Sequence, residues 1–89
     1  MLYIESVDKR TFLYTGDSVY ETPLRLYELE ERLAPRDFVR ASKSAIVNFG
    51  RVSSICPDLG GRLRLTLGKR EVVGVSRQYA PAIRKKLGL

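Results

Sequence analysis

Apolar and polar residues alternate over residues 2–6, 11–15 and 18–22, the period of two expected of strands with one face turned to a core. Asp8, Lys9 and Arg10 separate the first two runs, and Gly16 with Asp17 separates the next two. These turn residues predict three consecutive antiparallel strands. The period then changes. Leu26, Leu29 and Leu33 share one face of a helix predicted over residues 23–33, with Thr22 as its N-cap, Pro23 at its first position and Pro35 barring continuation. Short β-like runs follow at residues 38–40, 45–48, 52–55, 62–67 and 71–75, joined through residues 48–51, 57–61 and 68–70. Connections of that length predict mostly antiparallel pairing. Arg62, Arg64 and Thr66 alternate with Leu63, Leu65 and Leu67, which places the leucines on a core face and the arginines opposite. Ser76 is expected to end the last strand and cap a short helix in which Tyr79, Ile83 and Leu87 share a face and Pro81 lies in the first turn. Asn48, before Gly50, is expected to make a turn bond through its side chain. The expected fold is mostly β with one central helix and a short C-terminal helix. No repeat, low-complexity stretch or linker divides the chain, so residues 1–89 are expected to form one domain.

Charge adds an asymmetry. The 89 residues carry a net charge of +6 from 16 basic and 10 acidic residues. Residues 1–35 hold four basic and seven acidic side chains, residues 36–89 twelve and three. The second part would therefore face any polyanion. A hydrophobic content of 44% argues against disorder.

The chemical inventory excludes more than it suggests. There is no histidine and a single cysteine, Cys56, which removes the usual zinc ligand sets and the Ser-His and Cys-His nucleophile pairs. Glu28, Glu30 and Glu31 lie on the amphipathic helix, where a solvated face is the ordinary reading. The chain is read as a non-enzyme without metal or cofactor. Cys56, before Pro57, is read as a half-buried structural thiol. A lone cysteine suits a reducing compartment, and no stretch has the length of a signal core or a membrane span, so a cytoplasmic location is expected.

Three basic, loop-like sites remain: Lys9 with Arg10, Arg40 through Ser42, Lys43 and Ser44, and Arg77 with Gln78. Ammonium, guanidinium and hydroxyl groups are what phosphates and base edges accept from. A β-rich domain can present them from several loops along one edge. Arg77 could grip guanine with its fork, and Gln78 could pair with adenine. Each site also has a plain reading: a solvated turn at Lys9 and Arg10, serines satisfying backbone groups at a strand end, and first-turn helix decoration at Arg77 and Gln78. Arg84, Lys85 and Lys86 complement a helix C-terminus, and Lys69 and Arg70 mark a soluble hairpin tip. The five tyrosines and three phenylalanines are spread through the alternating runs, which suits strand-face packing better than base stacking. Two other functions stay open: a protein-interaction module using exposed strand edges, and an RNA or single-strand binder.

The segments LYIES at residues 2–6, RLYELEERL on the helix, FVRASKSAIVN at 38–48, GGRLRLTL at 60–67 and VSRQYAPAIRKKLG at 75–88 occur in an order and spacing that resembles the LytTR family of bacterial DNA-binding domains. That family is the output module of many response regulators. The resemblance implies an elongated stack of small antiparallel sheets with a helix packed between them, binding duplex DNA through loops that enter successive grooves. It implies contacts from the turn around Lys9, Arg10 and Thr11, from Ser42, Lys43 and Ser44, and from Arg77. It also implies a second copy on direct repeats. Many relatives have histidine where Ser42 stands. The family's domain usually begins with a further strand pair before Leu2, which implies either a trimmed first sheet or an edge closed by a second copy.

Overall fold

The computed structural model describes residues 1–88. Three strands open the chain: β1 (Tyr3–Val7), β2 (Arg10–Tyr14) and β3 (Val19–Thr22). Helix α1 (Leu26–Leu33) leads through a 3-10 turn to β4 (Phe38–Ser42) and β5 (Ala45–Asn48). Strands β6 (Val52–Pro57), β7 (Leu63–Leu67) and β8 (Glu71–Val75) and helix α2 (Ala80–Lys86) complete it. All pairing is antiparallel, in a five-stranded sheet of order β3-β2-β1-β5-β4 and a three-stranded sheet β6-β7-β8.

Strand alternation gives the five-stranded sheet two apolar faces. Ile4, Phe38 and Ile46 turn one way and meet Leu26 and Leu29 of α1. Leu2, Ala41, Ala45 and Val47 turn the other way and meet Leu63, Leu65, Leu67, Val73 and Val75, with Ala80 and Ile83 of α2 completing that core. The small Ala41 and Ala45 let the sheets approach. The helix is thus not packed between the sheets, as the resemblance implied. It forms an outer layer, because the five-stranded sheet is apolar on both sides and needs a cover for each. The domain's Cα extents of 34 × 25 × 25 Å make the stack moderately elongated.

Several local expectations shift. The helix begins at Leu26, three residues late, because Thr22 Oγ1 accepts from the Leu24 amide at 3.2 Å and turns the chain before it coils. Arg25 takes the N-cap with extended φ/ψ, and Glu28 Oε1 reaches back to its amide at 3.0 Å. Its C-terminal end behaves as expected: Pro35 lies in the 3-10 turn and Asp37 adopts φ 67°. Ser76 does not cap α2; its carbonyl accepts from the Tyr79 and Ala80 amides, and Tyr79 is the N-cap. Ile83 is buried, whereas Leu87 on the same face is 37% exposed. Cys56 is exposed rather than half-buried, since β6 is an edge strand with much of its outer face uncovered. Asn48 makes its turn bond: Oδ1 accepts from the Gly50 amide at 3.1 Å, while Nδ2 donates to the Met1 carbonyl.

Of the aromatic residues, Tyr3 and Tyr14 stack across β1 and β2 with ring centroids 4.4 Å apart, and Phe38 is buried. Burial, with Glu71, Tyr14 and Glu5 nearby, pushes the Tyr3 phenol up to about 12. Tyr20 and Tyr27 contradict a uniform packing role, being 57% and 61% exposed on the edge strand β3 and the outer side of α1.

Candidate nucleic-acid interface

Antiparallel pairing decides which loops meet. The Ser6 amide donates to the Ser44 carbonyl at 2.8 Å, which sets the β4–β5 turn beside the β1–β2 turn. The Ser76 amide donates to the Ala41 carbonyl at 2.9 Å, which ties the end of β8 to the end of β4. Since β7 runs opposite to β8, the β6–β7 loop arrives at that end too. The three basic sites, far apart in sequence, therefore lie along one edge.

Two adjoining grooves run along it. Ser42, Lys43, Ser44, Arg62, Arg77 and Gln78 line the first; Lys9, Thr11, Arg25, Tyr27, Arg40 and Lys43 line the second. Lys43 belongs to both. None of the residues lining either groove is acidic.

The turn carrying Lys43 is heavily bonded. A register shift between Arg40 and Ser42 bulges β4 at Ala41. Arg40 Nε donates to the Ser42 carbonyl at 2.8 Å and Nη2 to the Lys43 carbonyl at 2.7 Å. Its Nη1 donates to Glu30 Oε1 at 2.7 Å. Three of its five N–H donors are committed. Ser42 Oγ accepts from the Ser44 amide at 3.2 Å, so this serine also serves the backbone. The Lys43 and Ser44 side chains stand exposed.

The β1–β2 turn is only Asp8 and Lys9, both at positive φ, because Arg10 already pairs with Val7 as the first residue of β2. Its guanidinium grips Glu21 with two bonds, Nε to Oε2 at 2.9 Å and Nη2 to Oε1 at 2.7 Å. The hydrogen bond to Arg10 holds the Glu21 carboxyl below its ordinary range. Both side chains are exposed, so the pair is screened and weak, and a phosphate could draw Arg10 away. Lys9 is exposed at the tip.

Arg77 and Gln78 lie in the turn between β8 and α2, not in the helix itself. The Arg77 stem rests on the β6–β7 loop: a Cβ at Gly61 would come within 3.3 Å of Arg77 Cγ. Gly61 also holds φ 79°, so both the close approach and the backbone call for glycine there.

Residue-by-residue reading missed Arg62, Arg25 and Tyr27 as groove residues. Alternation alone puts Arg62 on the outer face of a strand, although it precedes β7, and a helix starting at Pro23 puts Arg25 inside it, although Arg25 caps it. The C-terminal cations follow their plain reading in part: Lys86 pairs with Asp37 and lies 5.3 Å from the centroid of the Phe49 ring. Among the described residues no cluster of histidine, cysteine, aspartate or glutamate could hold a metal ion, and no helix is long and apolar enough to cross a membrane.

Comparison with known proteins bears on this edge. The model of the LytTr DNA-binding domain matches residues 1–88. The chain belongs to the LytTR family. A solved LytTr DNA-binding domain of a putative methyl-accepting/DNA response regulator from Bacillus cereus is 33% identical and superposes with a TM-score of 0.92, over 99% of this chain and 81% of that one. Curated relatives from Staphylococcus aureus strains NCTC 8325 and COL, each described as an uncharacterized HTH-type transcriptional regulator, are 30% identical across all 89 residues. The chain spans 60% of the length of those relatives. In this LytTR domain the two α-helices are separated by five strands, so the described residues contain no pair of helices joined by a short turn. Of the exposed cations lining the grooves, Lys9, Lys43 and Arg62 lie between strands, while Arg25 and Arg77 lie just before helices.

Proposed function

We propose that this LytTR domain is a sequence-specific reader of double-stranded DNA in a transcriptional regulator, acting through side chains on loops. The observation that carries the reading is the convergence of three sequence-distant basic sites on one edge, where two grooves lined by no acidic residue adjoin and share Lys43. Lys43 and Arg77, which both line the first groove, are the base or groove readers, with Gln78 beside Arg77. Lys9, Ser42 and Ser44 hold phosphates, and Arg10 joins when it leaves Glu21. Arg25 and Arg62 add phosphate contacts that extend the footprint. Arg40, the remaining residue expected at the interface, has most of its donors committed within the protein. The protein works in the cytoplasm, where its DNA is, and binds as two copies on direct repeats.

Selection from a random-duplex library at near-physiological salt tests this. The expected result is two similar short motifs about one helical turn apart, with a log–log salt slope near −5 for about six phosphate contacts. Retention without enrichment would make the domain a nonspecific polyanion binder. Binding of a protein partner that survives high salt, with no duplex retained, would point to the interaction-module reading.

A further inference from the structure

One guanidinium joins three separate parts of the interface. Arg40 bonds at once to Glu30 on α1, to the carbonyl of Ser42 at the end of β4, and to the carbonyl of Lys43 in the turn, all within 2.7–2.8 Å. Its side chain is 18% exposed, against 42% for Glu30. These bonds leave it poorly placed to deliver donors to a phosphate. They also bear on the one residue shared by both grooves: Lys43 has no ion-pair partner among the described residues, so the direction of its long stem depends on the turn beneath it.

We propose that Glu30 and Arg40 form a strut that fixes the Lys43 turn against α1 and thereby sets sequence discrimination without touching DNA. This rests on the reading of Lys43 as a groove reader. A flexible lysine on a loose turn binds phosphates as readily as bases; held on a fixed turn, it reaches one place in the groove, and less ordering entropy is lost on binding. Only arginine serves here. Its planar fork spans acceptors in different directions, whereas the ammonium of a lysine is a compact point charge. Glu30 fills the donor that would otherwise turn outward. Glu30 is therefore a positioning residue of acidic charge close to a DNA-binding edge, where simple electrostatics would disfavour it.

That conflict gives the test opposite signs. Arg40→Lys and Glu30→Gln are compared with the unaltered protein on a selected duplex and its single-base variants. Amide hydrogen exchange at residues 43–45 is followed in the free proteins, and circular dichroism confirms that each variant folds. Glu30→Gln, at a partly exposed position, guards against loss of the fold. As a strut, Arg40→Lys lowers discrimination at one base position about tenfold and speeds exchange in the turn about tenfold. Glu30→Gln changes both in the same direction, although it removes a negative charge. As a phosphate ligand, Arg40 would tolerate lysine, Glu30→Gln would tighten binding to every duplex with discrimination and exchange unchanged, and Arg40→Gln would flatten the log–log salt slope by about one with discrimination and exchange unchanged. Any of those three results overturns the strut. If the unaltered protein discriminates among no duplexes, the DNA-reading proposal fails separately. The strut as a brace then stands on accelerated exchange in the two variants and falls if exchange is unchanged.

Discussion

The β1–β2 and β4–β5 turns each present an exposed lysine at the same edge, Lys9 and Lys43, but hold it by different means. In the first, Asp8 and Lys9 adopt φ of 50° and 66°, a left-handed region that disfavours side chains, and the adjoining Arg10 bonds outward to Glu21. In the second, neither turn residue has positive φ; Arg40 takes both carbonyls at its base and Ser42 takes an amide. The first turn is shaped by backbone conformation alone, the second by two side chains of β4, one of which is tied to Glu30 on α1. A turn that must place charge near phosphates can be loosely held. One that aims a side chain at a base benefits from bracing.

Removing the sheet beneath both turns would erase the contrast. Ile46 is fully buried between β1 and β4 and faces α1. Ile46→Ala should cost about 2–5 kcal/mol in urea unfolding. Breaking only the braced turn should cost less: Arg40→Ala leaves two carbonyls and Glu30 without their charged donor, about 1.5–3 kcal/mol, seen as a lower urea midpoint with an unchanged slope. Relaxing only the strained turn should act in the other direction. Lys9→Gly removes the penalty at φ 66° and should raise stability by up to about 1 kcal/mol, while weakening all duplexes alike and flattening the log–log salt slope by about one.

A further effect lies away from the basic edge. Tyr3 stacks with Tyr14 near the opposite end of β1, and its phenol is pushed up to about 12 by burial and neighbouring Glu71. In the unfolded chain it ionises near 10, so the neutral form favours the native state. That contribution is fully present below about pH 10 and is lost as pH rises through about 12. The midpoint of urea unfolding should fall over this interval, and Tyr3→Phe should make the fall shallower while leaving both lysine turns unaffected.

Much of this was legible from periodicity. The leucines at 63, 65 and 67 are all buried as their alternation required, and Leu26 and Leu29 face the core from one side of α1. Local chemistry also revealed the Asn48 turn and marked three basic segments, which folding brings to one edge. What was not legible depended on partners distant in sequence. Arg40 and Arg10 look equally free in the sequence, yet Glu30 holds one and Glu21 the other, from elements that folding brings alongside. The start of α1 was misplaced because a Thr22 hydroxyl can either cap a helix or turn the chain just before one, and the choice is made by the three residues that follow. Arg62 was hidden by its own regularity, since an outward strand position and a groove wall have the same alternation.

The most direct test of loop reading is the affinity of the unaltered protein, Arg77→Ala and Lys9→Ala for the selected duplex and every single-base variant of it. Arg77→Ala should lose about 1–3 kcal/mol and its preference at one base position only, whereas Lys9→Ala should weaken every sequence equally. Equal loss across all sequences for Arg77→Ala would contradict the account, because the edge would then be holding DNA without reading it.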